Sequence, residues 1–138
     1  MRVLLHVLPG LIALALATIV VLTLGSRRQK ITLTAVLACW IGGTIGQVVT
    51  GHITAPLIVA DVVFAFWILW YASGMTEWWI WTLLALAAGH LLLHAVAFGA
   101  PPGIPYSTLY DALSLGGLAV LAVAAIIDSR RAASERRG

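Results

Sequence analysis

Apolar residues run almost unbroken through five stretches of the chain, at about residues 3–25, 31–50, 57–74, 78–99 and 106–128. Short polar or proline-bearing joints separate them. A helix needs about 20 apolar residues to cross ~30 Å of hydrocarbon, and each stretch is close to that length. Backbone amides in lipid must bond within their own segment, so each stretch is expected to be helical. The pattern predicts an all-α membrane protein, a bundle of five transmembrane helices forming a single domain over residues 1–128. Residues 129–138 follow as a basic tail.

The joints set the boundaries. Ser26–Lys30 (SRRQK) links the first two stretches, and GHITAP at 51–56 the second and third, with Pro56 suited to open a helix. Met75–Glu77 links the third and fourth. APPGIP at 100–105 separates the fourth and fifth, its prolines ruling out helix there. The first stretch is long for a signal-peptide core, and Arg27, Arg28 and Lys30 follow it as a stop-transfer pattern, so it is read as a true span.

Composition sharpens this picture. The chain has 138 residues, 62% hydrophobic and 9% charged, with a mean hydropathy of +1.04. A soluble domain carries roughly 25% charged residues. The net charge of +3 is no sign of nucleic-acid binding, because the basic residues sit at stretch ends and in the tail. Arg27, Arg28 and Lys30 precede the second stretch, and Arg130, Arg131, Arg136 and Arg137 follow the fifth. Four spans lie between the clusters, so both fall on one side, which the lysine and arginine bias assigns to the cytoplasm. The N-terminus is then outside and the C-terminus inside. Trp78, Trp79 and Trp81 at one boundary and Tyr106 and Tyr110 at the other read as interfacial anchors. Lone Cys39 excludes a disulfide within the chain and reads as a small packed residue. Abundant Ala, Leu and Val and the absence of glycosylation sequons suit a bacterial inner membrane.

The ionisable residues inside the spans share a level. Counting inward at ~1.5 Å per residue places Asp61 about 6 Å, and Asp111 and His94 about 7 Å, below the outer boundary. His90 lies one turn deeper than His94 on the same helix face. His52 falls in an outer joint and His6 near the outer start of the first span. Buried charges in membranes face the bundle interior and pair with something. The donors available to Asp61 and Asp111 at this level are His90, His94, Tyr110, Ser107 and Ser114. An outward-facing polar pocket between spans three, four and five is therefore expected, lidded by the joints at 51–56 and 100–105.

Four readings of this pocket stay open. Asp61 and His94 bond across helices simply to fix packing. His90 and His94, one turn apart, bind a metal ion, with Asp61, Asp111 or His52 completing the shell; the helix reads HLLLH and lacks the glutamate of a HExxH hydrolase. A haem is held by histidines from different helices, since His90 and His94 share a face. Asp61 titrates on a proton or substrate path. The aromatic residues of span three add a surface for a quinone or flat pigment, and lipid is a further candidate ligand.

In the second span Ala38, Gly42 and Gly46 form a small-xxx-small row that lets another helix approach, in this bundle or in an oligomer. No catalytic triad, phosphate loop or cysteine nucleophile is visible, so the case for an enzyme is thin. The leading expectation is a small accessory or scaffold subunit that packs against other membrane subunits or itself. The alternative is binding or transport of a small molecule, ion or proton through the polar pocket, or a metal-binding membrane protein.

Overall fold

The computed structural model describes residues 2–51, 55–99 and 106–137, with the side chains of residues 2–10, 47, 98, 99 and 107 outside the description. Among the described residues the structure is helical, with no strand. The helices are α1 (Arg2–Leu24), α2 (Arg27–Thr50), α3 (Ala55–Ala72), α4 (Trp78–Gly99) and α5 (Tyr106–Glu135). Four segments are long and apolar enough to cross a membrane: Arg27–Thr50, Ala55–Ala72, Trp78–Ala97 and Thr108–Glu135. A shorter apolar segment, Leu11–Leu24, belongs to α1. The chain is thus an integral membrane protein by length and composition of its helices.

Two boundaries differ from the hydropathy pattern by a helical turn or more, for local reasons. Helix α2 starts at Arg27, inside the basic joint, because Ser26 and Gln29 form a capping box. The Ser26 amide donates to Gln29 Oε1 at 2.8 Å, and the Gln29 amide donates to Ser26 Oγ at 3.3 Å. Each side chain thereby satisfies a backbone donor left over at the helix start. Helix α5 does not stop at Asp128 but continues to Glu135, so most of the basic tail is helical. Ala132, Ala133, Arg130 and Arg131 are all good helix formers. At the C-terminal ends of α2 and α3, Gly51 and Gly74 take positive φ (68° and 83°), the conformation that closes a helix and that residues with a Cβ rarely adopt.

Helices α3 and α4 pack chiefly on their sequence neighbours and α2 on α3, while α1 packs chiefly on α5, so the five form a ring. Among the described residues α1 touches α2 only sparingly. One end of the ring carries the basic residues. There Gln29, fully buried, donates from Nε2 to Asp128 Oδ2 at 2.8 Å, and Arg28 pairs with Glu77. The starts of α2 and α4 and the final turns of α5 therefore lie together, and the two arginine clusters share this basic end. Burial alone would push the Glu77 carboxyl up, but hydrogen bonds from its own amide, the Arg28 guanidinium and the Thr76 amide hold it below the ordinary glutamate value.

The tight core belongs to this end. Val21, Leu33, Ile68, Ile80, Leu121 and Ala124 are buried to within 2% and pack as one cluster. Trp79 joins them, so it is a core residue rather than an interfacial anchor. It faces into the cluster, while Trp78 and Trp81 stay exposed. The outer surface is apolar: Phe66, Trp70, Leu92, Val48 and Val49 are largely exposed. Threonine hydroxyls on it bond back to carbonyls four residues earlier, as for Thr34, Thr44 and Thr82. That arrangement keeps polar groups satisfied without water.

Candidate functional site

At the opposite, histidine end, α3 contributes Asp61 from its second turn, α4 contributes His90 and His94 from its last turns, and α5 contributes Tyr106, Tyr110 and Ser114. The ring order places α4 between α3 and α5, so its two histidines reach both neighbours.

His94 is buried, with a side chain 4% exposed. Its Nε2 lies 2.8 Å from Asp61 Oδ2, and its Nδ1 lies 2.7 Å from the Tyr106 hydroxyl. With one proton on the ring, Tyr106 O–H donates to Nδ1 and Nε2–H donates to the carboxylate. Tyr110 O–H approaches Asp61 Oδ1 at 3.5 Å, the outer limit of a hydrogen bond. The tyrosine rings stack, their centroids 6.0 Å apart, and both tilt against the His94 ring. The result is a chain of three side chains, Tyr106, His94 and Asp61, with Tyr110 beside the carboxylate. Among the described residues no buried side-chain nitrogen or oxygen is left without a partner.

His90 belongs to a second, smaller network. Its Nδ1 lies 3.1 Å from the Leu86 carbonyl and its Nε2 3.2 Å from Ser114 Oγ. A ring protonated on Nδ1 donates to Leu86 and accepts from Ser114 at Nε2. The Tyr110 carbonyl, 2.9 Å from Ser114 Oγ, offers that hydroxyl another acceptor. The His90 ring meets Tyr110 edge-on, with centroids 4.9 Å apart.

Below the cluster the ring is hollow. A cavity of ≈ 420 Å³ is lined by residues of all five helices. Asp61, His90, Tyr110, Asp111 and Ser114 furnish its polar part. Leu14, Leu37, Phe64, Leu83 and Leu118 are among the apolar side chains that form the rest. The pocket is thus shared by five helices, where three were expected. Asp111 lines it from an exposed position and makes no hydrogen bond or ion pair with any described residue. Cys39, half-buried on α2, touches it as well.

The structure brings together Asp61, His94 and Tyr110, and sets His90 on Ser114. His52 and its neighbours 53 and 54, like the whole joint at 100–105, lie outside the described residues, as do the side chains of His6 and Ser107. Among the described residues no group of three or more His, Cys, Asp or Glu side chains is placed to share a metal ion. Both ring nitrogens of His90 and of His94 already hold hydrogen-bond partners. Tyr106 is the member that sequence reasoning missed, having been assigned to the interface. Its i, i+4 spacing from Tyr110, on the same helix face, was the signal that would have found it.

The small row on α2 divides. A Cβ on Gly46 would sit 2.7 Å from the Pro56 Cβ, and one on Gly43 would be 3.2 Å from Leu57 Cδ2, so these glycines seat α3. A Cβ on Gly42 meets nothing within 4 Å. Ala38, Gly42 and Gly46, with Val59 and Val63 of α3, line an open groove of ≈ 660 Å³ on the outside of the bundle.

Comparison of the chain with protein-family models, curated proteins and solved structures yields no significant match.

Proposed function

We propose that this protein holds a small amphipathic molecule in the cavity between its five helices. The polar head of the molecule lies against Asp61, His90 and Ser114, and its apolar body against the leucines beneath. The observation that carries this reading is the cavity itself. Its wall is leucine-rich apart from a few polar groups gathered at one end. Ligand sites are commonly built this way, largely apolar with a few placed polar groups. In this reading all five helices span a membrane, with the histidine end outside and the basic end in the cytoplasm of a bacterial cell. The lysine and arginine distribution supports that orientation.

Native mass spectrometry of protein extracted in mild detergent tests the proposal. A bound small molecule is expected on the wild type and is expected to be lost in Gly117→Leu. A Cβ at Gly117 meets only Leu83 Cδ2, at 3.6 Å, and Gly117 lines the cavity, so a larger side chain there takes up the ligand's space. Protein that carries no small molecule, and whose Tm no membrane extract raises, would overturn the proposal.

The open groove at Ala38, Gly42 and Gly46 favours a second reading, an accessory or scaffold subunit with a partner helix, or a second copy, along α2 and α3. Under this reading a partner copurifies, Gly42→Ile abolishes the association, and Asp61→Asn leaves it intact. Copurification unaffected by Gly42→Ile would refute it.

A further inference from the structure

We infer that the molecule held in the cavity is a lipophilic cation, a protonated amine or an onium group on an apolar body, its charge seated against Asp61 and Asp111. The inference rests on the proposed cavity binding and adds the sign of the ligand's charge. Its first support is the inventory of the lining. Among the described residues two carboxylates line the space and no lysine or arginine does. The basic residues of α2 and α5 are gathered at the far end of the bundle.

The second support is how the carboxylates are partnered. Asp61 binds a histidine and, at long range, a phenol, and neither is a permanently charged group. Asp111 binds no described residue, although it borders the same space. A carboxylate on a membrane-spanning helix normally has a partner, and exposed Asp111 has none among the described residues. Here the place for a cation is the cavity that the two acids share. The third support is aromatic. Trp40, Phe64 and Tyr110 contribute to the wall, and ring faces attract a desolvated cation.

A matched pair of ions separates charge from shape. Tetraphenylphosphonium and tetraphenylborate have nearly the same size and opposite charge. Binding to the purified protein in nanodiscs is followed by equilibrium dialysis. Saturable phosphonium binding is expected, with at least tenfold weaker binding of the borate. Asp111→Asn, which breaks no bond seen in the structure, is expected to weaken phosphonium binding three- to tenfold. Asp61→Asn is expected to weaken it further, and Gly117→Leu to abolish it. Equal binding of the two ions, both lost in Gly117→Leu, would overturn the cationic inference and leave the cavity reading standing. Saturable binding of neither ion would overturn the inference. If the native mass spectrum is also empty, the cavity reading falls with it. Phosphonium binding unchanged in both aspartate variants would also overturn it.

Discussion

Replacing His94 by leucine removes two hydrogen bonds at once and leaves the helix packing nearly filled. The side chain bonds Asp61 at 2.8 Å and Tyr106 at 2.7 Å and is almost fully enclosed. Hydrogen bonds between membrane helices average about 0.6 kcal/mol, so the pair contributes about 1.2 kcal/mol. The change also strands the Asp61 carboxylate, whose remaining contact is the long one from Tyr110. An unsatisfied buried acceptor costs about 1–3 kcal/mol, which brings His94→Leu to about 2–4 kcal/mol. Tyr106→Phe removes only the bond to Nδ1 and is expected to cost about 0.6 kcal/mol. The two changes share that bond, so Tyr106→Phe made in the His94→Leu background is expected to cost almost nothing. The non-additivity of the double-mutant cycle measures the pair. Reversible unfolding in mixed detergent micelles, followed by fluorescence of the six tryptophans, reads all four proteins. Strict additivity would refute the reasoning, because the Tyr106 hydroxyl would then be bonded somewhere other than to His94.

The remaining predictions concern the rest of the bundle. Gly46→Ala forces a Cβ against Pro56 and is expected to destabilise by about 1–3 kcal/mol. Gly42→Ala meets open space and is expected to be neutral or to gain up to about 1 kcal/mol from helix propensity, and the same unfolding assay ranks them. Gln29→Ala removes both the cap on Ser26 and the donor to Asp128. It is expected to cost about 2–3 kcal/mol and to speed amide exchange in the first turn of α2. Arg28 and Glu77 are partly exposed, so Arg28→Ala is expected to cost less than about 1 kcal/mol, and less still at high salt. Since the folded carboxyl of Glu77 sits below its ordinary value, its contribution is present above that range and fades as pH falls through it. A wild-type minus Arg28→Ala stability difference that grew on acidification would contradict this.

An all-helical fold with apolar helices long enough to cross a membrane, and the meeting of Asp61 with His94, were legible from hydropathy and spacing alone. Hydrophobic runs have sharp ends when a proline or glycine closes them, which is why the span at Trp78–Gly99 matches the helix from end to end. Where a cap decides, as at Ser26 and Gln29, hydropathy places the helix start several residues late. Rotation about the helix axes was beyond reach, because all-round apolar helices carry no periodic signal. That is why Trp79 was set at the surface when it lies in the core, and why the cavity was divided among three helices instead of five. Tyr106 was missed for a related reason. Interfacial tyrosines look the same in sequence whether their hydroxyl meets water or a buried histidine.

The two halves of the bundle are packed unequally, and this has a mechanical result. Side chains at the basic end are sealed from the surface in one cluster, so helices there cannot separate without exposing them. At the other extremity hydrogen bonds, rather than a filled interior, tie α3, α4 and α5 around the space they enclose.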